Sequence, residues 1–148
     1  MTSQLRTGTD RDTASIRLLL ESAGLPTDDL LTSNPQFVVA CDNDRVVAIG
    51  ALQRFGVSAL LRSVVVASDL RGSGLGRTIV RDLERAAQSG RIERLFLLTQ
   101  TAQRFFEHQG YRVIDRHSVP PDVQGSAEFR LLCPASATCM AKTLASPS

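Results

Sequence analysis

Residues 59–85, ALLRSVVVASDLRGSGLGRTIVRDLER, decide how the chain reads. Apolar and β-branched residues run from Leu60 to Ala67 and enter the glycine-rich turn Arg71-Gly72-Ser73-Gly74-Leu75-Gly76. They then give way to Leu75, Ile79, Leu83 and Ala86 at helical spacing. The pattern predicts strand, turn, helix. Gly72, Gly74 and Gly76 permit positive φ and close backbone approach, so several amides at the helix start can converge on one anion. Free donors and the helix dipole together favour phosphate there, by ~0.3–1 kcal/mol per exposed charge. Arg71 and Arg77 flank the turn and can add charge-assisted hydrogen bonds to phosphate oxygens.

Two other phosphate-binding patterns do not fit. A P-loop needs G-x-x-x-x-G-K-[ST], and the only lysine, Lys142, lies far along the chain. A dinucleotide fingerprint needs G-x-G-x-x-G on the first βα unit, with an acidic residue closing the next strand. Here the last glycines are two apart, the turn falls midway along the chain, and the strand Leu95 to Leu98 ends at Thr99.

The remainder reads outward from this unit. Gln4 to Arg6 is a first strand, and Thr9 and Asp10 offer cap oxygens to a helix with Ile16, Leu19, Leu20 and Ala23 on one face and Gly24 at its end. Thr27-Asp28-Asp29 starts a second short helix carrying Leu30 and Leu31, stopped at Asn34-Pro35. Phe37–Cys41 and Val46–Leu52 form a hairpin about Asp42-Asn43-Asp44, and the chain turns again at Phe55-Gly56. After the Gly74–Ser89 helix and Gly90, the apolar run Ile92–Thr99 reads as a strand covered on both faces. Thr101 caps a helix over Ala102–Gln109 that buries Ala102, Phe105 and Phe106, closed by Gly110. Tyr111–Asp115 is a strand, Pro120-Pro121-Asp122 opens a helix with Val123, Ala127 and Leu131 on one face, and Ala137–Leu144 is the last strand. The expected order is β-α-α-β-β-β-α-β-α-β-α-β.

Composition bounds the function. One domain over residues 1–148 is expected, with Ala145–Ser148 as a frayed tail. At 43% hydrophobic and 22% charged, the chain has the make-up of an ordinary globular protein. A net charge of +2, with one tyrosine and no tryptophan, gives no basis for nucleic-acid binding. No signal-like or membrane-length apolar run occurs, and the three cysteines Cys41, Cys133 and Cys139 cannot all pair within one chain, so a cytoplasmic location is expected.

Arg71-x-x-Gly74-x-Gly76 after an apolar strand resembles the pyrophosphate-binding motif of GNAT-superfamily N-acetyltransferases. The entry segment LRTGTDRDTASIRLLLESAGL, the step FFEHQGY and the closing Met140-x-Lys142-x-Leu144 resemble the same family in the same order. Within it the chain looks most like the branch associated with arsenic resistance. That likeness rests on Leu25-Pro26-Thr27, Leu60-Leu61-Arg62-Ser63, Thr99–Phe106, Ala127-Glu128-Phe129-Arg130 and Leu132–Met140. The resemblance implies a mixed α/β (α+β) fold with a central antiparallel meander, a βαβ crossover and two splayed parallel strands, Leu60–Ala67 and Ile92–Thr99.

The resemblance also implies acetyl-CoA as cosubstrate. Backbone groups of Val64, Val65 and Val66 would hold the pantetheine arm, and amides from Gly72, Ser73, Gly74, Leu75, Gly76 and Arg77, with Arg71 beside them, would take the pyrophosphate. Two catalytic groups common in the family do not carry over. Phe106 stands where many relatives place a tyrosine acid, and the place of the usual glutamate base falls near Leu60. Glu128 is the candidate substitute base; its plainer reading is a surface carboxylate beside Arg130. Tyr111, the sole phenol, reads as core, and His108 and His117 as solvated.

Arg62 shares strand parity with Val64 and Val66, so it is expected to face the cofactor arm and bind an anionic acceptor; its plainer reading is an arginine reaching the sheet rim. No metal site is expected. C-x₅-C at Cys133 and Cys139 could clasp trivalent arsenic, although buried small hydrophobes are the plainer reading. The expected activity is acetyl transfer to the primary amine of a small molecule, with an amino-acid-like organoarsenical as one candidate. A non-catalytic acyl-CoA or arsenic sensor, and a protein N-terminal or lysine acetyltransferase, are the alternatives. An exposed strand edge makes a homodimer reasonable.

Overall fold

The computed structural model describes residues 4–25, 27, 35–127, 129–130 and 136–144. Four expectations lie outside them: the second helix carrying Leu30 and Leu31, Glu128, Cys133, and the tail from Ala145.

The strands are β1 (Gln4–Thr7), β2 (Gln36–Asp42), β3 (Arg45–Phe55), β4 (Ser58–Val66), β5 (Arg94–Thr99), β6 (Arg112–Val113) and β7 (Thr138–Thr143). They form one seven-stranded sheet in the order β1-β2-β3-β4-β5-β7-β6. Every pairing is antiparallel except β4 with β5. The helices are α1 (Thr13–Ser22), α2 (Leu75–Ser89), α3 (Gln103–His108) and α4 (Pro121–Gln124). This is the mixed sheet, meander and crossover that the sequence predicts.

Local chemistry moves several boundaries. Thr9 and Asp10 do not cap α1 directly. A 3₁₀ turn over Asp10–Asp12 precedes it, and the Asp12 carboxylate accepts the Thr9 amide at 2.8 Å. For α3 the N-cap position is Ala102 and not Thr101, with no side-chain cap; Thr99 Oγ1 accepts the Ala102 amide at 3.0 Å in the turn before it. On α2 the buried positions are Ile79, Val80, Leu83 and Ala87; Ala86 faces solvent. The strand expected at Tyr111–Asp115 shrinks to two residues, because Tyr111 turns inward to pack edge-on against Phe106 at 5.6 Å. The helix expected from Pro121 is broken after Gln124, with Gly125 as its cap, and helical residues resume at Ala127; its expected Leu131 lies outside the described residues.

Alternation along the strands sorts the core onto two faces. Leu61, Leu95, Leu97 and Met140 pack with Ile79, Val80 and Leu83 of α2 and with Phe106 of α3. On the opposite face, Val39, Ile49 and Val65 meet Ile16 and Leu20 of α1. Leu60, Phe96 and Cys139 there meet Val119, Val123 and Phe129.

A β-bulge interrupts β4. Val65 and Val66 pair with Ile49 and Ala48, but Arg62 and Leu61 pair with Ala51 and Leu52, so β4 carries one extra residue. Ser63 sits at φ 61° within that stretch. Across the ladder, Gly50 makes room for α2: a Cβ there would lie 2.5 Å from Ile79 Cγ2 and 2.8 Å from Leu83 Cδ1.

Two stability predictions follow from these contacts. Gly50→Ala should cost about 1–3 kcal/mol of unfolding free energy in urea melts, because α2 must lift from the sheet. Asp12 is buried, and the bidentate Arg6 guanidinium at 2.7 and 2.8 Å holds its carboxyl at about 2, below its ordinary 3.8. A depressed carboxylate pKa stabilises the fold above the unfolded-state value, and the contribution disappears as pH falls toward 2. Asp12→Asn should therefore lose about 1–2 kcal/mol at pH 7, the half-exposed Arg6 screening the pair, and the difference from wild type should vanish at the acid end of a pH series of melts.

Candidate active site

Pairing between β4 and β5 ends early. Ser58, Ala59 and Leu60 pair with Arg94, Leu95 and Phe96, and beyond Phe96 the two strands diverge. The β4 bulge follows between Arg62 and Val65, where the strand no longer keeps step with both neighbours. A cavity of about 630 Å³ occupies the opening. Val64, Val65 and Val66 form one wall, and Leu97, Leu98 and Thr99 the other. Phe106 reaches it from the α2 and α3 face, and the end of α1, Ser22–Leu25, from the opposite face. The cavity therefore passes between the strands, from one side of the sheet to the other.

The bulge also corrects the parity argument for Arg62. The extra residue at Ser63 puts Val64 and Val66 on the α2 face, while Val65 packs toward α1. Arg62 stands on the α1 side with Leu60. Its Nη1 donates to Gln53 Oε1 at 3.1 Å, and Gln53 is the cross-strand partner of Leu60. Arg62 is nonetheless buried, at 3% exposed, and is among the residues that line the cavity. Sequence reasoning missed Gln53, whose role depends on register across a strand pair.

At the other end of β4, a 3₁₀ turn over Ser68–Leu70 leads into the glycine loop. Gly72 and Gly74 adopt φ 81° and 88°, in the left-handed region. Gly76 is not in that region, and a Cβ there would meet Phe105 Cζ at an ordinary 3.4 Å. Gly74 caps α2, and its carbonyl accepts from Thr78 N at 3.1 Å and Thr78 Oγ1 at 3.0 Å. The amides of Leu75, Gly76 and Arg77 occupy the first turn, where no carbonyl of their own helix can reach them. Ser73 differs from its neighbours, because its amide donates to Leu70 O at 3.2 Å. The donor set around an anion thus centres on Gly74–Arg77, with Ser73 holding the loop closed.

The other candidate groups separate from this site. Tyr111 is buried, and its hydroxyl donates to Glu84 Oε2 at 2.9 Å. Burial first, and then the adjacent Glu84 carboxylate, hold its proton far above the usual phenol range. Cys139 lies in the core beside Phe96, and burial pushes its thiol up to about 11, so it is not a ready thiolate ligand. His108 and His117 are both exposed. No group of three or more His, Cys, Asp or Glu residues placed to hold a metal occurs among the described residues.

Residues 33–113 match the model of the acetyltransferase (GNAT) domain family, more than half of the chain. The chain belongs to this family. Its fold is shared with the Rv2747 protein of Mycobacterium tuberculosis solved in complex with CoA, at 25% identity and a TM-score of 0.82 over 96% of this chain and 99% of that one. N-acetylglutamate synthase of Neisseria gonorrhoeae, complexed with coenzyme A and L-arginine, matches at 16% identity and a TM-score of 0.81, over 96% of this chain but 33% of the synthase. Mouse N-alpha-acetyltransferase 80 is 41% identical over 56 residues, covering 38% of this chain and 18% of that protein. The chain thus corresponds to a minor part of both the synthase and the mouse relative.

Within this GNAT domain, the splayed strands and the glycine loop are contiguous. Val66 lines the cavity, Arg71 stands at its edge, and the loop follows directly. Phe106 walls the cavity and supplies no proton. No helix among the described residues is long and apolar enough to cross a membrane.

The left-handed geometry at Gly74 gives a direct test. An alanine there incurs about 1–2 kcal/mol of backbone strain. Gly74→Ala should therefore relax the loop and weaken CoA binding about tenfold in isothermal calorimetry, with unchanged far-UV circular dichroism.

Proposed function

We propose that the protein transfers the acetyl group of acetyl-CoA to the primary amine of a small, anionic molecule. The observation that carries this is the cavity itself: it follows the opened edge of β4 as far as Arg71, where the glycine loop begins, and buried Arg62 is among its lining residues. An edge of unpaired strand suits the amide-bearing pantetheine arm, and a helix terminus suits the diphosphate. In this reading Val64, Val65 and Val66 flank the arm. Arg71 and the amides of Gly72, Gly74, Leu75, Gly76 and Arg77 hold the diphosphate, with Ser73 supporting the loop.

The acceptor enters from the α1 side, opposite the cofactor. Its neutral amine attacks the thioester carbonyl; the C–N bond forms and the C–S bond breaks. The ammonium proton is lost, and CoA leaves as the thiol. Placing two reactants in one cavity supplies up to roughly 7–11 kcal/mol in ideal systems, against ~10²–10⁴-fold for a positioned acid or base. With Phe106 at the wall, proximity is the main contribution, and Glu128 is the residue to test as base.

Arg62 selects an acceptor that carries a carboxylate, arsinate or phosphonate. A buried arginine already bound to Gln53 presents its fork in a fixed direction, which favours a planar or tetrahedral oxyanion over a neutral amine. Resemblance to the arsenic-resistance branch makes an amino-acid-like organoarsenical the first acceptor to assay. The mouse relative's name favours a second reading, acetylation of a protein N-terminus.

Thiol release from acetyl-CoA should be measured against panels of small amino acids, their arsenical and phosphonate analogues, and peptides. Turnover on anionic small amines supports the proposal, and turnover on peptides alone replaces it with the second reading. Arg62→Met should raise the acceptor KM at least about tenfold while changing the acetyl-CoA KM less than about twofold, since a lost charged hydrogen bond acts only on its own ligand.

A further inference from the structure

Three non-glycine residues among those described adopt positive φ: Asn43 at 55°, Ser63 at 61° and Arg91 at 64°. Asn43 belongs to the turn between β2 and β3, and Arg91 to the turn after α2. Of the three, Ser63 alone lies inside a strand. We propose that the Ser63 hydroxyl is a catalytic group of the transfer, donating a hydrogen bond to the thioester carbonyl oxygen of acetyl-CoA and stabilising the charge that develops there. The inference rests on the acetyl-CoA reading above and adds a residue to its chemistry.

Backbone geometry argues first. In the left-handed region glycine is the residue without steric cost, and any side chain there is held against strain by its surroundings. The bulge supplies that constraint: Arg62 pairs with Ala51 and Val65 with Ile49, so Ser63 and Val64 together stand against Gly50. Strain of this kind gathers where a chain is shaped for a ligand. Serine meets the same backbone demand as glycine at greater cost, and what it adds is a hydroxyl.

Position argues next. The last β4–β5 pair is Leu60 with Phe96, so Ser63 stands three residues into the opened length of β4. It is half-buried and lines the cavity between the strands. In the proposed reaction the cofactor arm runs beside Val64 and Val66 and the acceptor enters from the Arg62 side, so the two reactants meet at the level of Ser63. Two other hydroxyls around the cavity are engaged: Ser22 Oγ donates to Leu19 O at 2.7 Å, and Thr99 Oγ1 accepts the Ala102 amide at 3.0 Å. Ser63 Oγ makes no hydrogen bond to another described residue, and a hydroxyl turns its proton toward whichever acceptor enters.

The chemistry needs such a donor. As the C–N bond forms, the carbonyl π pair moves onto oxygen. When it returns, the C–S bond breaks, and the proton shed by nitrogen ends on the CoA sulfur. The Ser63 proton stays on Oγ throughout. Its hydrogen bond is weak to the neutral thioester and strong to the oxyanion, so it acts on the barrier more than on binding.

Infrared difference spectroscopy of acetyl-CoA, isotope-labelled at the acetyl carbonyl, reads this contact without any acceptor. The carbonyl stretch should lie at lower wavenumber bound to wild type than bound to Ser63→Gly or Ser63→Ala. Glycine removes the hydroxyl and relieves the backbone together, so Ser63→Gly should melt within about 4 °C of wild type, which separates a lost contact from a damaged fold. With aminomethylphosphonate as the amine probe, kcat should fall about a hundredfold in both variants while the acetyl-CoA KM changes less than about twofold. A carbonyl stretch equal in wild type and both variants, or an unchanged kcat, overturns this inference and leaves the acetyl-CoA reading standing. Failure of wild type to bind acetyl-CoA overturns both.

Discussion

Everything in this molecule depends on β4 being unable to satisfy two neighbours along its whole length. It is paired with β3 from end to end, and the bulge at Ser63 lets that ladder continue while the strand bends. The parallel ladder to β5 then lasts for three pairs and stops. A fully paired sheet would have no opening and no route between its faces. The fold thus gives up several ladder hydrogen bonds in its interior, and the vacated strand edges become a surface that a ligand's amides can fill.

The cost of that opening is met by rigid surroundings. Gly50 brings α2 close against β3 beside the bulge, and Ile79 and Leu83 fill the space a larger residue would need. Phe105 lies over Gly76, bringing α3 beside the start of α2. Farther along the same helix pair, Glu84 collects the Tyr111 hydroxyl and the Lys142 ammonium, and Lys142 reaches on to Gln109 O. Three elements, α2, α3 and β7, are thereby fixed around the loop that faces the anion. Such a network rigidifies because every member is satisfied in a medium of low dielectric.

Electrostatics divide the site into two halves. On the α2 side the positive charge is partial and comes from peptide dipoles, supplemented by exposed Arg71 and Arg77. On the α1 side it is a full guanidinium, buried and oriented by Gln53. A buried cation keeps its charge where hydrogen bonds direct it, and its strength is poorly screened by salt. The proposed function puts the multiply charged cofactor on the first side and a compact anionic acceptor on the second.

The sequence by itself determined the order of the strands and of the helices α1 to α3 among the described residues, the glycine turn and the family. Those depend on local signals: apolar period, positive-φ glycines, and a motif written in consecutive residues. Gly74 and Gly110 are legible for this reason, and so is the strand–turn–helix of 59–85. The tertiary structure alone decided which face of the sheet Arg62 takes and that Tyr111 belongs to Glu84. Each of these depends on a partner distant in sequence or on one inserted residue. A single extra residue in a strand exchanges its faces, and no periodicity in the chain records where that residue falls.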